Sequence, residues 1–266
     1  MHIVKSYPDG VFSWVDLSTT NTEGAKAFYT GLFGWEFVDL PLGEMGFYTM
    51  YQIDGHNVAG MGQMMPDMQA QGIPPYWSSY VNHSDADAIA AKVAEAGGSV
   101  MMPPMDIFDS GRMGMFQDPT GAVFGVWQPK EMIGAQVVNQ ANALVWNELQ
   151  TRDGAAAKAF YEAVFGWQSH VVDDSGYVTF AVNERVQAGV MEMNENFPES
   201  VPSNWQVYFM VEDVQAAAAK AAELGGTVLM PPTSAGDMGT FAVIQDPQGA
   251  VFTVMQFNGP VDTPPG

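Results

Sequence analysis

The chain carries one ordered set of motifs twice, at a distance close to half its length. An Ala-Lys-Ala-Phe-Tyr segment at residues 25–29 returns 132 positions later at residues 157–161, and Phe-Gly-Trp follows it in both copies. A Gln-Asp-Pro-x-Gly-Ala-Val-Phe segment at residues 117–124 returns at residues 245–252. A period this long is typical of a duplicated domain, because solenoid repeats span only about 20 to 50 residues. We therefore expect every functional residue in two copies.

Length and composition agree with two globular domains. The 266 residues, 47% of them hydrophobic, can supply two domains that each bury a core. No apolar run approaches the roughly 20 residues that cross a bilayer, and no apolar signal segment starts the chain, so we expect a cytoplasmic protein without membrane contact. We predict domains at residues 8–129 and 143–258, a linker at 130–142 and a flexible tail at 259–266.

The charge and the absence of cysteine exclude several functions. With 9 basic and 30 acidic residues, the formal charge of −21 would repel a phosphate backbone, so nucleic acid is not an expected partner. Without cysteine there is no disulfide, no thiolate nucleophile and no cysteine-bound metal.

Each half of the sequence shows the same succession of elements twice. In the first unit, residues 11–17 read as a strand, and residues 23–33 carry apolar side chains at helical spacing up to Gly34. Three short strands follow. The next unit starts with a strand at residues 76–82, then a helix at residues 85–96 and three more strands. The pattern predicts an α+β fold with four βαβββ units, two in each domain.

These motifs, taken in order, resemble the vicinal oxygen chelate superfamily, which includes glyoxalase I, bleomycin-resistance proteins and extradiol dioxygenases. The resemblance covers residues 10–129 and 143–257 and is strongest to the tandem two-domain glyoxalase-like branch. It implies that the two βαβββ units of each domain form a curved mixed sheet around a cleft.

In the superfamily's metal enzymes, His, Glu or Gln side chains on inward-facing strand positions hold a divalent cation. The resemblance assigns those positions here, in domain order, to Trp14 and Trp146, Ser78 and Gln206, Gly125 and Thr253, and to the pairs at residues 59–60 and 188–189. Only Gln206 could bind a cation, and one neutral amide cannot hold a metal that needs about three protein ligands. We therefore expect neither a metal nor another cofactor.

Alternation along the strands predicts which side chains line each cleft. The first cleft would be lined by Trp14, Asp16, Ser78, Tyr80, Asn82, Gly125 and Trp127. The second would be lined by Trp146, Glu148, Gln206, Tyr208, Met210, Thr253 and Met255. Aromatic walls with one carboxylate and a few hydroxyls or amides suit a mostly apolar organic ligand that also forms hydrogen bonds. The same residues would equally well fill the interior of the sheet.

Asp16 and Glu148 occupy the same inward position and are the candidate catalytic groups. A carboxylate in an aromatic cavity is expected to have a raised pKa, which suits a proton shuttle; the alternative is a structural acceptor for a turn. Arg112, whose counterpart is Thr240, could bind a ligand carboxylate at the mouth of the first cleft or be an exposed loop residue.

The leading hypothesis is a metal-free protein of this superfamily that binds small aromatic or carbonyl-containing molecules for sequestration or detoxification. The alternative is a lyase, isomerase or dioxygenase that uses Asp16 or Glu148, or a displaced metal site. A third possibility is that one domain keeps a pocket while the other is its structural partner. The domains would then pair within one chain, and a monomer would suffice.

Overall fold

Two eight-stranded sheets, one in each half of the chain, make up the fold. The computed structural model describes residues 1–43, 46–172, 177–195, 197–259 and 261. The tail predicted at residues 259–266 lies outside the described residues except at positions 259 and 261. Within the described part of the chain, no helix is long and apolar enough to cross a bilayer.

The strands of the first domain form one mixed sheet in the order β2-β3-β4-β1-β5-β8-β7-β6. Strand β1 is central, since it pairs in parallel with β4 and antiparallel with β5. The elements are β1 (Phe12–Thr19), α1 (Thr22–Phe33), β2 (Glu36–Pro41), β3 (Phe47–Ile53), β4 (His56–Gln63), α2 (Pro66–Ala70), β5 (Tyr76–Asn82), α3 (Ala86–Glu95), β6 (Ser99–Ile107), β7 (Gly111–Gln117) and β8 (Val123–Pro129).

The second domain repeats this topology in the order β10-β11-β12-β9-β13-β16-β15-β14. Its elements are β9 (Leu144–Thr151), α4 (Gly154–Phe165), β10 (Gln168–Val171), β11 (Val178–Val182), β12 (Arg185–Glu192), β13 (Asn204–Met210), α5 (Val214–Glu223), β14 (Thr227–Ser234), β15 (Gly239–Gln245) and β16 (Val251–Phe257). The predicted α+β fold is confirmed: two tandem domains, each with a curved mixed sheet that does not close into a barrel.

The first helix of each domain begins and ends at residues that the sequence marks. The Asn21 side chain accepts a hydrogen bond from the backbone N–H of Gly24, and Asp153 caps α4 in the same way. Gly34 and Gly166 end these helices with φ of 70° and 71°, in the left-handed region that glycine adopts without strain.

The outermost strands differ most from the sequence prediction. Strand patterns are evident only at residues 99–102 and 227–230, yet β6 and β14 continue beyond them through Pro-Pro pairs. Both are edge strands with register shifts, so a proline there need not remove a hydrogen bond from the ladder. The five-residue helix α2 has no counterpart in the prediction.

The two domains pack through the faces of the sheets that carry the helices, not through the sheet edges. Helix α1 lies beside α5, α3 lies beside α4, and β5 contacts β13. One hydrophobic cluster joins side chains of α1 to those of β13 and β16, and the other joins α3 and β8 to α4. Each unit therefore completes its core with a unit of the other domain.

Two buried tyrosines of the repeated motif cross between the domains. The Tyr29 hydroxyl donates to the Asp246 carboxylate at 2.9 Å and accepts from the Trp77 indole N–H at 3.0 Å. Tyr161 makes the equivalent bonds, to Asp118 at 3.0 Å and from Trp205 at 2.8 Å. Both aspartates also accept backbone N–H groups of their own turns. The tyrosine and the aspartate of the repeated motifs thus form the hydrogen bonds between the two domains.

We expect Tyr29→Phe and Tyr161→Phe each to lower the free energy of unfolding by about 1–3 kcal/mol, because a buried carboxylate and an indole N–H each lose a partner. Urea denaturation measures the change. Tyr51→Phe is the matched control, since within the described residues the one hydrogen bond of that buried hydroxyl is to a methionine sulfur at 3.4 Å. Equal losses in all three variants would contradict a specific role for the crossed pairs.

Candidate functional site

The candidate site of the first domain lies at the centre of its sheet, on the concave face. Asp16 on β1 pairs across the sheet with Ser78 on β5 and with Gly60 on β4. Trp14, two residues earlier on the same face, pairs with Tyr80. Of the residues predicted for the first cleft, Trp14, Ser78 and Tyr80 therefore lie next to this carboxylate in the sheet.

Tyrosine hydroxyls hold the Asp16 carboxylate. Tyr48 and Tyr80 both donate to it at 3.2 Å, and the Trp14 indole N–H donates to the Tyr48 hydroxyl at 3.1 Å. Burial raises the pKa of Asp16 to about 6, against hydrogen bonds from Tyr48, Tyr80 and Ser78 that lower it. Close to neutral pH, Asp16 can thus either accept or donate a proton.

The second domain has the same arrangement around Glu148. Tyr177 donates to this carboxylate at 2.9 Å and Tyr208 at 2.7 Å. Burial is the main cause that raises the pKa of Glu148, and the tyrosine hydrogen bonds oppose it. The neighbouring Gln206 amide donates to the Thr253 hydroxyl at 3.1 Å, so these two predicted site residues bond to each other.

The two acids differ in access to solvent. Asp16 keeps part of its surface accessible, whereas Glu148 is only 4% exposed. This difference belongs to the residues as a whole, since both carboxylates are held by tyrosine hydroxyls.

Glycines make room for the tyrosines where the superfamily's metal enzymes carry ligands. A Cβ at Gly60 would overlap the Tyr48 hydroxyl, and one at Gly189 would overlap that of Tyr177. On the closing strand, a Cβ at Gly125 would overlap the ring of Tyr80. The space beside these glycines is thus filled by phenol side chains.

The donor set does not fit a divalent metal. Asp16 is the one carboxylate among the residues predicted to line the first cleft, and its hydrogen-bonding neighbours are two phenols and the Ser78 hydroxyl. Burial and the nearby Asp16 charge raise the pKa of Tyr48 and Tyr80 well above the usual tyrosine range, which disfavours phenolate ligands. Nowhere in the described residues do three His, Cys, Asp or Glu side chains converge.

Some predicted lining residues have other contacts. The Asn82 side-chain amide donates to the Tyr7 carbonyl at 2.9 Å, and the Trp127 indole donates to the Met132 carbonyl at 2.7 Å. Both therefore anchor segments that flank the first sheet. In the second domain, Trp146 and Met210 are half-buried, and Met255 is buried.

Arg112 does not lie at the mouth of the first cleft. It is on β7, where Met113 and not Arg112 pairs with the inward-facing Trp127, so its side chain projects to the helix-bearing face. There it forms ion pairs with Asp87 of α3 at 2.9 Å and with Asp106 at 3.3 Å. The prediction of a loop residue is wrong, because Arg112 lies on β7, and its guanidinium is held away from the mouth of the first cleft by these ion pairs.

Sequence reasoning missed Tyr48 and Tyr177, which complete the two carboxylate sites. They lie 129 positions apart, near the start of equivalent strands, so alignment of the two halves contains the signal. No metal-ligand pattern marks them, because their function in the sites is to donate hydrogen bonds.

A cavity of about 260 Å³, which we call the end cavity, borders the second cleft at Trp146 and has neither Asp16 nor Glu148 in its lining. It opens where β9 and β12 begin, next to the N-terminal segment and the linker. Its walls include Tyr7, Phe12, Val138, Val145, Val186 and Gln187.

The fold and the carboxylate sites together define a tandem protein with paired βαβββ units. Residues 11–126 and 142–254 match the model of the Glyoxalase/Bleomycin resistance protein/Dioxygenase superfamily, and the chain belongs to this superfamily. The resemblance inferred from the motifs is thereby confirmed.

Similar proteins include two that align over nearly the whole chain. "Putative glyoxylase CFP32" of Mycobacterium bovis is 44% identical over 251 residues, which are 94% of this chain and 96% of that protein. "Anthracycline biosynthesis protein DauV" of Streptomyces sp. (strain C5) is 34% identical over 262 residues, 94% of each chain.

Among solved structures, the Mn(II)-bound glyoxalase from Novosphingobium aromaticivorans superposes with a TM-score of 0.66 at 16% identity, over 96% of this chain and 84% of that one. The 2,3-dioxygenase LapB from Pseudomonas sp. KL28 gives a TM-score of 0.64 at 16% identity, over 96% and 95%. At this identity the likeness shows the fold alone.

We expect Gly60→Ala to destabilise the first domain by about 1–3 kcal/mol, because the added methyl group displaces the Tyr48 hydroxyl from Asp16. Urea denaturation measures this. Gly62→Ala is the control, since its Cβ would lie 3.7 Å from the Tyr48 ring, an ordinary contact. Equal stability of the two variants would show that Tyr48 does not need the space over Gly60.

Proposed function

We propose that the protein binds small aromatic molecules carrying a carbonyl or hydroxyl group in the cleft of the first domain, without a metal, and acts in the cytoplasm to sequester or detoxify them. The observation that carries the proposal is the carboxyl group of the partly exposed residue Asp16, held by two phenols beside the ring of Trp14. Aromatic walls around one polar group suit such ligands. A similar protein named for anthracycline biosynthesis supports this ligand class.

The protonation state of Asp16 would select the ligand's polar group. The protonated carboxyl donates to a carbonyl oxygen, whereas the carboxylate accepts from a ligand hydroxyl. Since the pKa of Asp16 is about 6, both forms occur near neutral pH. Glu148 is too buried to serve in the same way, so we assign ligand binding to the first domain and a supporting role to the second.

Acetophenone and phenol test this selection, because each offers a single polar group. We expect acetophenone to bind more tightly below pH 6 and to lose affinity as the pH rises through 6, while phenol shows the opposite trend. Two pH units above the pKa the affinity for acetophenone should be about a hundredfold below its low-pH value, and two units below the pKa the affinity for phenol should be about a hundredfold below its high-pH value. NMR titration of the full chain measures both dissociation constants.

Asp16→Asn should abolish the pH dependence of both ligands, and Glu148→Gln should leave it unchanged. Opposite results for the two variants would place the site in the second domain. Elemental analysis of the purified protein tests the metal-free part separately. A stoichiometric divalent metal would contradict that part.

A second candidate function is acid–base catalysis as a lyase, isomerase or dioxygenase, with Asp16 or Glu148 as the proton shuttle or with a displaced metal site. The observation that favours it is the pKa of Asp16, since a general acid or base works best near the ambient pH. This function requires that the protein turns over a methylglyoxal adduct or a catechol. Asp16→Asn or Glu148→Gln should then abolish that turnover. Full activity in both variants would exclude these residues from catalysis.

A further inference from the structure

A gap between the starts of two strands occurs at the same place in both sheets, and it is filled in the first domain and open in the second. In the first domain, the linker fills the space between the start of β1 and the start of β4. The Ala135 N–H donates to the Ser13 carbonyl and the Gln136 N–H to the Asn57 carbonyl, both at 2.7 Å. The Gln136 side-chain oxygen accepts the Asn57 N–H at 3.0 Å. A short peptide segment is thus bound by both strands.

The small side chains of this segment are buried. Ala135 is 0% exposed and Val137 is 1% exposed, and Gln136 between them supplies the polar contacts. The Tyr7 hydroxyl holds the segment from the other side by donating to the Ala135 carbonyl at 2.6 Å. The three-residue sequence Ala-Gln-Val at residues 135–137 therefore supplies both the buried apolar side chains and the polar contacts of the bound segment.

In the second domain the same gap is the end cavity. Val145 and Val186 are the counterparts of Ser13 and Asn57 in the repeat, and both line the cavity. Antiparallel pairing of Asn57 with β3 and of Val186 with β11 has the same register, so the N–H and carbonyl of Val186 should face the cavity as those of Asn57 face the linker.

The chain's own segment after β16 reaches the end cavity with Val261, but its sequence differs from that of the linker. After β16, the position equivalent to Gln136 is Pro264, which has neither an N–H to donate nor a side-chain oxygen to accept. The linker sequence that fills the first gap is therefore not repeated at the end of the chain.

The side-chain amide of Gln187 is a hydrogen-bond donor that a ligand in the end cavity could satisfy. The Gln187 side chain is about nine-tenths buried, and its amide nitrogen has no hydrogen-bond partner in the described residues. Its oxygen accepts the Phe12 N–H at 3.3 Å, which fixes the orientation of the amide. The counterpart in the first domain is Val58, an apolar core residue. The second gap thus offers a buried donor that the first lacks.

We propose that the end cavity binds an extended peptide segment of the type small apolar–Gln–small apolar from another polypeptide. The segment adds to β12 through the N–H and carbonyl of Val186, as Gln136 does to Asn57, and one of its carbonyls accepts the Gln187 amide N–H. The Tyr7 and Phe12 rings and the Val138 side chain provide the apolar wall.

The test uses the blocked peptide acetyl-Gly-Ala-Gln-Val-amide, which copies residues 134–137, with the full ¹⁵N-labelled chain. We expect saturable chemical-shift changes at the backbone amide of Val186 and at the side-chain amide of Gln187. The control peptide acetyl-Gly-Ala-Pro-Val-amide lacks both polar groups of glutamine, so it should bind at least about tenfold more weakly.

A matched variant locates the contact in the protein. Val186→Pro removes the N–H that faces the cavity and spares the hydrogen bonds to β11, so the protein should fold and its affinity for the glutamine peptide should fall about tenfold. The two peptides keep the test decisive even if this variant does not fold.

Three results would overturn the proposal. These are equal affinity for the two peptides, no binding up to about 10 mM peptide, or shift changes centred on the clefts instead of Val186. Binding that appears only after deletion of residues 262–266 would equally contradict it, because the cavity would then belong to the chain's own end.

Discussion

The pairing of the helix-bearing faces of the two sheets is the constraint on which the other features depend. It is fixed by Tyr29 and Tyr161, each buried in one domain and bonded to a turn aspartate of the other. Because helices and strands of both domains share each hydrophobic cluster, neither sheet can shift without breaking both. The carboxylate sites therefore lie on the opposite faces of the sheets. The linker between the domains runs past the starts of β1 and β4, where it bonds to Ser13 and Asn57.

The two domains contain equivalent carboxylate sites with the same hydrogen-bonding groups, but the two acidic residues differ in exposure. Each holds a carboxylate between two tyrosines, in space that glycines leave at positions where the superfamily's metal enzymes carry ligands. Asp16 remains partly accessible and Glu148 does not. Burial is the main cause that raises the pKa of both acids.

The sequence predicted the fold well because its signals are local: helical spacing up to Gly34, capping at Asp153 and alternation along β5. It also placed Asp16 and Glu148 correctly on equivalent strands, since alternation assigns a face to every residue of a strand. Alternation along a strand cannot predict which side chains of distant segments contact each other. Tyr48 reaches Asp16 from another strand, and Arg112 projects to the helix face because of a register that only the assembled sheet defines.

The central claim is that an accessible, metal-free carboxyl group in the first cleft titrates near neutral pH. A ¹³C NMR titration of the Asp16 carboxyl in the full chain measures this directly, with Asp16→Asn to assign the signal. The account predicts a pKa of about 6. A pKa at or below the usual aspartate value of about 4 would contradict it, because the carboxylate would then be solvated or paired with a cation.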